Sequence, residues 1–181
     1  MECSVLELRI LESGWISGEA DDADDPCAHG TVMLAVDGHA LVTPADGSFT
    51  LSAVGLYLLR TLQHDHAPAD HVSDGNALFP CCGYIALPAS GVFPVFCIGC
   101  PGGRDVTVTH QGDEVLLDAG DGPRRVSLLE WRKAVLAFVG AVEDFYARCS
   151  PKHPATDPEE ARGWALFWAE WQQRRQAAQA L

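Results

Sequence analysis

The sequence predicts an α+β fold, an antiparallel β-sheet packed against about three helices, two of them C-terminal. Short apolar stretches with strand-like alternation fill most of the first 126 residues, and Asp-Gly and Gly-rich turns separate them. One helix-spaced apolar stripe interrupts them between residues 52 and 64. Two long helical stripes occupy almost everything after Ser127. Strands and helices that segregate along a chain, rather than alternating, point to α+β architecture. With 181 residues, 48% of them apolar, the chain suits one globular domain with its own core, spanning residues 1–181.

The elements follow in order. "SVLELRIL" (4–11) alternates like a half-buried strand, and "GEADDADDP" after it is an acidic, breaker-rich loop. "TVMLAV" and "HALVT" flank Asp37-Gly38, a strong short-range hairpin signal. A second turn, "PADG", leads through "SFTL" into a helix from about Ser52 to about His64. Val54, Leu58, Leu59 and Leu62 lie on one side of it, and Leu56 and Tyr57 widen the stripe. "APADHVSDGN" is a polar loop. "FPCCGYIAL" and "VFPVFCIG" read as apolar strands joined by "PASG", and "DVTVTH" and "EVLLDA" as a hairpin across "QGD". Ser127 with Glu130 forms a capping box for a helix whose face carries Trp131, Val135, Phe138, Val142 and Phe145. After the breaker "SPKHP", Asp157, Pro158 and Glu160 start a last helix with the stripe Trp164, Phe167, Trp168, Trp171. Aromatics at that spacing are expected to dock the helix on the core.

Charge bounds the function. The net charge is −13, and 13 acidic but only two basic side chains precede Ala77. Such a surface repels nucleic acid, whose binding needs Lys and Arg on phosphates, and attracts a basic protein. The start, "MECSVLELRILESG", lacks the basic segment and apolar run of a secretory signal, and no stretch approaches the ~18 apolar residues of a membrane span. A cytoplasmic protein with no membrane partner is expected, most of its seven cysteines being free thiols.

Four cysteines lie close together, at positions 81, 82, 97 and 100. Cys97-x-x-Cys100-Pro-Gly-Gly has the form of a zinc turn, and Cys82 (or its neighbour Cys81) with His110 would complete a tetrahedral set. Adjacent strand residues face opposite ways, so only one of Cys81 and Cys82 could join. Cysteine packing as a small apolar residue is the simpler expectation, with no cofactor required. A thiol hydrolase would need Cys82 activated by His110 and Asp105, but these apolar surroundings raise a thiol pKa. "QHDHAPADH" gathers His64, His66 and His71 with Asp65 and Asp70. It lacks the i, i+4 histidine pair of a zinc peptidase and reads as histidines balancing a helix C-terminus.

"NALFPCCGYIALP" with "GCPGGRDVTVTH", "VSLLEWRKAVLAFVGAVEDFYARCSP" and "GWALFWAEWQQRR" resemble small acidic bacterial proteins, some of which look like immunity proteins of polymorphic or contact-delivered toxin systems. The resemblance covers residues 76–175. It implies a non-enzymatic protein that binds a cognate toxin and blocks it, and the acidic composition suits a basic toxin. The expected contact residues are Glu19, Asp21, Asp22, Asp24 and Asp25, joined by Asp65, Asp70 and Asp74. The alternatives are a zinc-stabilised binding or regulatory domain built on Cys82, Cys97, Cys100 and His110, and then a small thiol- or metal-dependent hydrolase.

Overall fold

Asp37 and Gly38 both take left-handed backbone angles, φ 53° and 77°. A tight two-residue hairpin demands them, and glycine adopts them without a steric cost. The turn joins β2 (His29–Val36) to β3 (His39–Val42), and β1 (Leu6–Gly14) pairs antiparallel with the other edge of β2. Leu8 stands opposite Leu34 and Ile10 opposite Val32, with the register shifting between Ile10 and Glu12. β4 (Phe49–Thr50) pairs with the start of β2 and completes a four-stranded sheet. The computed structural model describes residues 5–81, 85–100 and 102–180.

All ten residues of α1 (Leu51–Arg60) are buried, not one face alone. The helix packs against β2, β4 and β5 (Phe79–Pro80) and also against both C-terminal helices. A helix that is apolar around nearly its whole circumference is a core helix. It ends four residues earlier than the apolar spacing predicts. Thr61 closes it, its hydroxyl donating to the Leu58 carbonyl (2.6 Å) and accepting from the Trp131 indole (3.1 Å).

The remaining strands divide into three small antiparallel sheets. β5 pairs with β8 (Gly103–Arg104), and β6 (Ile85–Pro88) with β7 (Val95–Ile98). β9 (Thr107–Gln111), β10 (Glu114–Asp118) and β11 (Arg124–Ser127) form the third. The α+β class therefore holds, with four antiparallel sheets among the described residues in place of one.

α2 (Leu128–Ala147) starts on the expected capping box, with Glu130 N–H donating to Ser127 Oγ at 3.1 Å. α3 (Pro158–Gln179) starts on Asp157, which accepts from the Glu159 and Glu160 amides at 2.9 Å. Two glycines let the helices approach closely. A Cβ on Gly55 would meet the Trp171 indole at 2.4 Å, and one on Gly163 would meet the Ala86 carbonyl of β6.

Arg60 ties these layers together with its side chain fully buried. Its Nε and one terminal nitrogen donate to the two carboxylate oxygens of Glu170 on α3 (2.9 and 2.8 Å). Its terminal nitrogens also donate to the Val72 and Val95 carbonyls at 2.7 Å and to Asp74 at 3.3 Å. The guanidinium lies 4.1 Å from the centre of the Phe93 ring. Burial pushes the Asp74 carboxyl up, and Arg60 only partly offsets it. The loop after α1 is thereby held to β7 and α3. No helix among the described residues is long and apolar enough to cross a membrane.

Candidate functional site

The acidic loop folds against the α2–α3 connection because its carboxylates are the acceptors the loop needs. Asp21 accepts from the Ser150 amide through both oxygens (3.2 and 3.0 Å), and Asp24 pairs with His153 Nδ1 at 2.7 Å. Asp22 accepts from the amides of Asp24 and Asp25 (3.0 and 3.2 Å), forming an Asx-type turn. Hydrogen bonds from Ser150 hold the Asp21 carboxyl below the usual range, and one from Ser17 does the same for Asp22. Tyr146 of α2 stitches the end of the loop in place. Its hydroxyl donates to the Pro26 carbonyl (2.7 Å) and accepts from the Ala28 amide (3.0 Å).

Between this loop, residues 152–156 and the start of α3 lies an open groove of about 480 Å³. Trp164 and Trp168 line it from α3, and Asp24 and Glu160 supply carboxylates. Trp168 is braced edge-on by Tyr146, ring centres 5.2 Å apart. Lys152 is the one Lys or Arg among the described lining residues, and it turns inward. Its ammonium lies 3.2 Å from the centre of the buried Trp15 ring and donates to the Asp22 carbonyl. The groove thus offers half-buried tryptophan faces with a negative rim. Another cavity, at the meeting of the three helices, has only about 40 Å³.

The acidic side chains expected to meet a partner divide accordingly. Glu19, Asp21 and Asp24 are exposed around this end of the molecule, and Asp22 is half-buried. Asp25 does not face a partner. It is 8% exposed and spends its carboxylate on the Ile16 and Cys27 amides at 2.9 Å. Asp65, Asp70 and Asp74 belong to the loop after α1, where Asp65 pairs with His110 and Asp74 with Arg60. Trp164 and Trp168, expected in the core, are instead half-buried, while Phe167 and Trp171 are fully buried. α3 turns one edge of its stripe outward, which the even 3–4 spacing does not disclose.

The cysteine constellation does not assemble as a zinc site among the described residues. Cys81 and Cys100 are joined as a disulfide, so the Cys100 sulfur is not an open ligand and these two thiols are not free. Cys97 is 2% exposed, and burial pushes its thiol up to about 12. Cys82 lies outside the described residues. His110 donates from Nδ1 to Asp65 at 2.6 Å, and Asp105 pairs with His66 at 2.7 Å. His110 and Asp105 therefore do not make the base-and-orienter pair of a thiol hydrolase.

A different trio comes together. One nitrogen each from His66 and His71 and one oxygen of Asp105 all lie within 4.8 Å of each other. His66 is driven inward because its backbone exchanges two 2.8 Å hydrogen bonds with Val108 of β9. Burial raises the Asp105 carboxyl, but bonds from His66 and the Leu78 amide outweigh it and hold the group below its ordinary range. By local sequence these histidines read as balancing a helix C-terminus. Asp105 lies 34 positions beyond His71, so local spacing carries no sign of the trio. Comparison with protein-family models, with curated proteins and with solved structures returns no match.

Proposed function

We propose that the chain is a non-enzymatic, immunity-type protein that docks a basic protein toxin in the cytoplasm and neutralises it. The observation that carries this reading is the groove beside the acidic loop. Its tryptophans are half-buried, Asp24 is exposed and Glu160 half-buried at its rim, and its lysine is turned away onto Trp15. Tryptophan held in a braced pocket is a typical anchor of a protein interface, and Arg or Lys of a partner stacks on its face. Asp24 and Glu160 complement such a cation, and the net charge of −13 speeds the encounter with a basic partner. The same charge disfavours nucleic acid as the occupant.

The test is affinity capture from the producing strain at low and high ionic strength, with wild-type chain and the Trp168→Ala/Glu160→Lys double variant. A basic polypeptide should be retained by the wild type at low salt and lost by the variant and at high salt. Expression of that polypeptide alone should arrest growth, and co-expression of this chain should restore it. Equal capture by wild type and a correctly folded variant, or growth that this chain does not restore, refutes the proposal.

A further inference from the structure

We infer that His66, His71 and Asp105 form a binding site for a divalent transition-metal ion, zinc being the best fit. The argument starts from unmet hydrogen-bonding capacity. The Nε2–H of His66 donates to Asp105 Oδ1 (2.7 Å), and the Nε2–H of His71 donates to the Pro68 carbonyl (3.2 Å). Both acceptors lack a proton to give, so each neutral ring keeps its lone pair on Nδ1. Both Nδ1 atoms are buried and have no hydrogen-bond partner among the described residues. His66 is 0% exposed. An imidazole acceptor buried without a donor is costly, and two side by side, ring centres 5.1 Å apart, are a feature that needs a reason.

A metal ion supplies part of that reason: it would take the Nδ1 lone pair of His71, while from His66 it would take Nε2, the nitrogen on the Asp105 side of the ring, with the His66 proton moving to Nδ1. Two imidazoles and a carboxylate make a three-ligand set of the kind that holds zinc and leaves a fourth position open. Zinc binds nitrogen and oxygen donors at about 2.0–2.2 Å, so donors on a tetrahedral ion stand roughly 3.3–3.5 Å apart. One donor atom from each residue lies within 4.8 Å of the others, and Asp105 Oδ1 stands 2.7 Å from His66 Nε2, so an ion entering between them replaces that hydrogen bond. The part that must move is well placed to do so. His71 sits on a loop between α1 and β5, and the Asp105 side chain is 45% exposed next to β9. His66 is the fixed member, locked to Val108 on both sides of its peptide unit. The Pro68 carbonyl on the His71 ring is the outer contact that orients ligand histidines in metal sites. Asp105 is itself oriented by the Leu78 amide at 2.9 Å. A bound ion would clamp the loop after α1 onto the segment that links β8 to β9, far in sequence from the acidic loop and independent of it.

The experiment uses the tag-free chain, stripped of metal and titrated with zinc alone, then with cobalt(II) as a spectroscopic substitute. The wild type should take up about one zinc per chain and melt roughly 5–10 °C higher at a hundredfold excess over Kd. His71→Ala and Asp105→Asn should each weaken uptake at least about tenfold. Asn keeps an acceptor for the Leu78 amide, so Asp105→Asn tests the site even if His71→Ala folds poorly. Cys100→Ser should bind like the wild type, and the cobalt form should show visible d–d bands without thiolate charge-transfer absorption. Three results overturn the assignment: no zinc uptake by the wild type, uptake unchanged in Asp105→Asn, or uptake lost in Cys100→Ser with the cobalt form showing thiolate absorption.

Discussion

Replacing Glu170 by alanine would remove the two-oxygen partner of a guanidinium that has no exposure of its own. What remains around Arg60 is Asp74 at 3.3 Å, itself 31% exposed, and the Val72 and Val95 carbonyls. The carbonyls satisfy two N–H groups but carry no net charge, and Asp74 is part-screened by water. Breaking one side of a buried ion pair costs about 3–5 kcal/mol, and the surviving contacts place Glu170→Ala near the lower end, about 3 kcal/mol. That is a large share of a total stability of about 5–15 kcal/mol. Urea unfolding measures it: with a slope of about 1–3 kcal/mol/M, the midpoint should fall by roughly 1–3 M at unchanged slope. The double change Arg60→Met/Glu170→Met should not restore the wild-type midpoint. It leaves the Val72 and Val95 carbonyls buried without donors, each costing about 1–3 kcal/mol. A Glu170→Ala midpoint within about 0.3 M of wild type would show that water or Asp74 already compensates Arg60, and would refute the reasoning.

Two further outcomes follow from the titrating groups. At neutral pH the Cys97 thiol, pushed up to about 12 by burial, is ionised in only about one chain in 10⁵. Native protein treated with a thiol reagent should therefore label half-exposed Cys149 before buried Cys27 and Cys97, and rapid labelling of Cys97 would contradict its place in the core. Asp105 and Asp65 titrate below the ordinary carboxylate range, because hydrogen bonds from His66 and His110 outweigh burial. A lowered folded-state pKa gives stability that is present above the unfolded value and lost as pH falls through the folded one. Asp74, raised by burial, acts in the opposite sense but is a single group. The melting temperature should drop between about pH 5 and pH 3, more steeply in the wild type than in Asp105→Asn. A flat profile there, or one that rises, argues against the Asp105 contacts.

Local chemistry was the legible part of the fold. The Asp37-Gly38 hairpin, the Ser127–Glu130 box and the Asp157 cap all stand where residue type predicts, because each is decided by neighbours a few positions away. The spacing in α1 predicts an amphipathic helix, yet it is buried throughout, since which helices cover it depends on packing between distant segments. The same holds for the metal-ligating trio. His66 and His71 stand out as a pair of histidines, but Asp105 reaches them only because β9 pairs its Val108 with His66. The cysteines misled for a related reason. Their spacing suggests a shared ligand set, whereas β7 carries Cys97 into the core and the turn after it carries Cys100 to Cys81.

The acidic loop shows how composition and geometry answer different questions. Counting charges predicted a negative surface, and hydrogen bonding then showed most of those carboxylates already engaged with the backbone. The two results are compatible, because an amide N–H that donates to a carboxylate orients it without cancelling its charge. The Ser150 and Ser17 bonds that lower the Asp21 and Asp22 pKa values favour the ionised form. The loop is therefore fixed and negative at once. Docking on such a rim orders few additional side chains, so more of the electrostatic attraction remains as affinity. Asp21→Asn separates these roles. It removes one charge while its amide oxygen still accepts from Ser150, so clearly weaker capture of the basic partner with at most a slight fall in melting temperature is what a preorganised electrostatic rim requires.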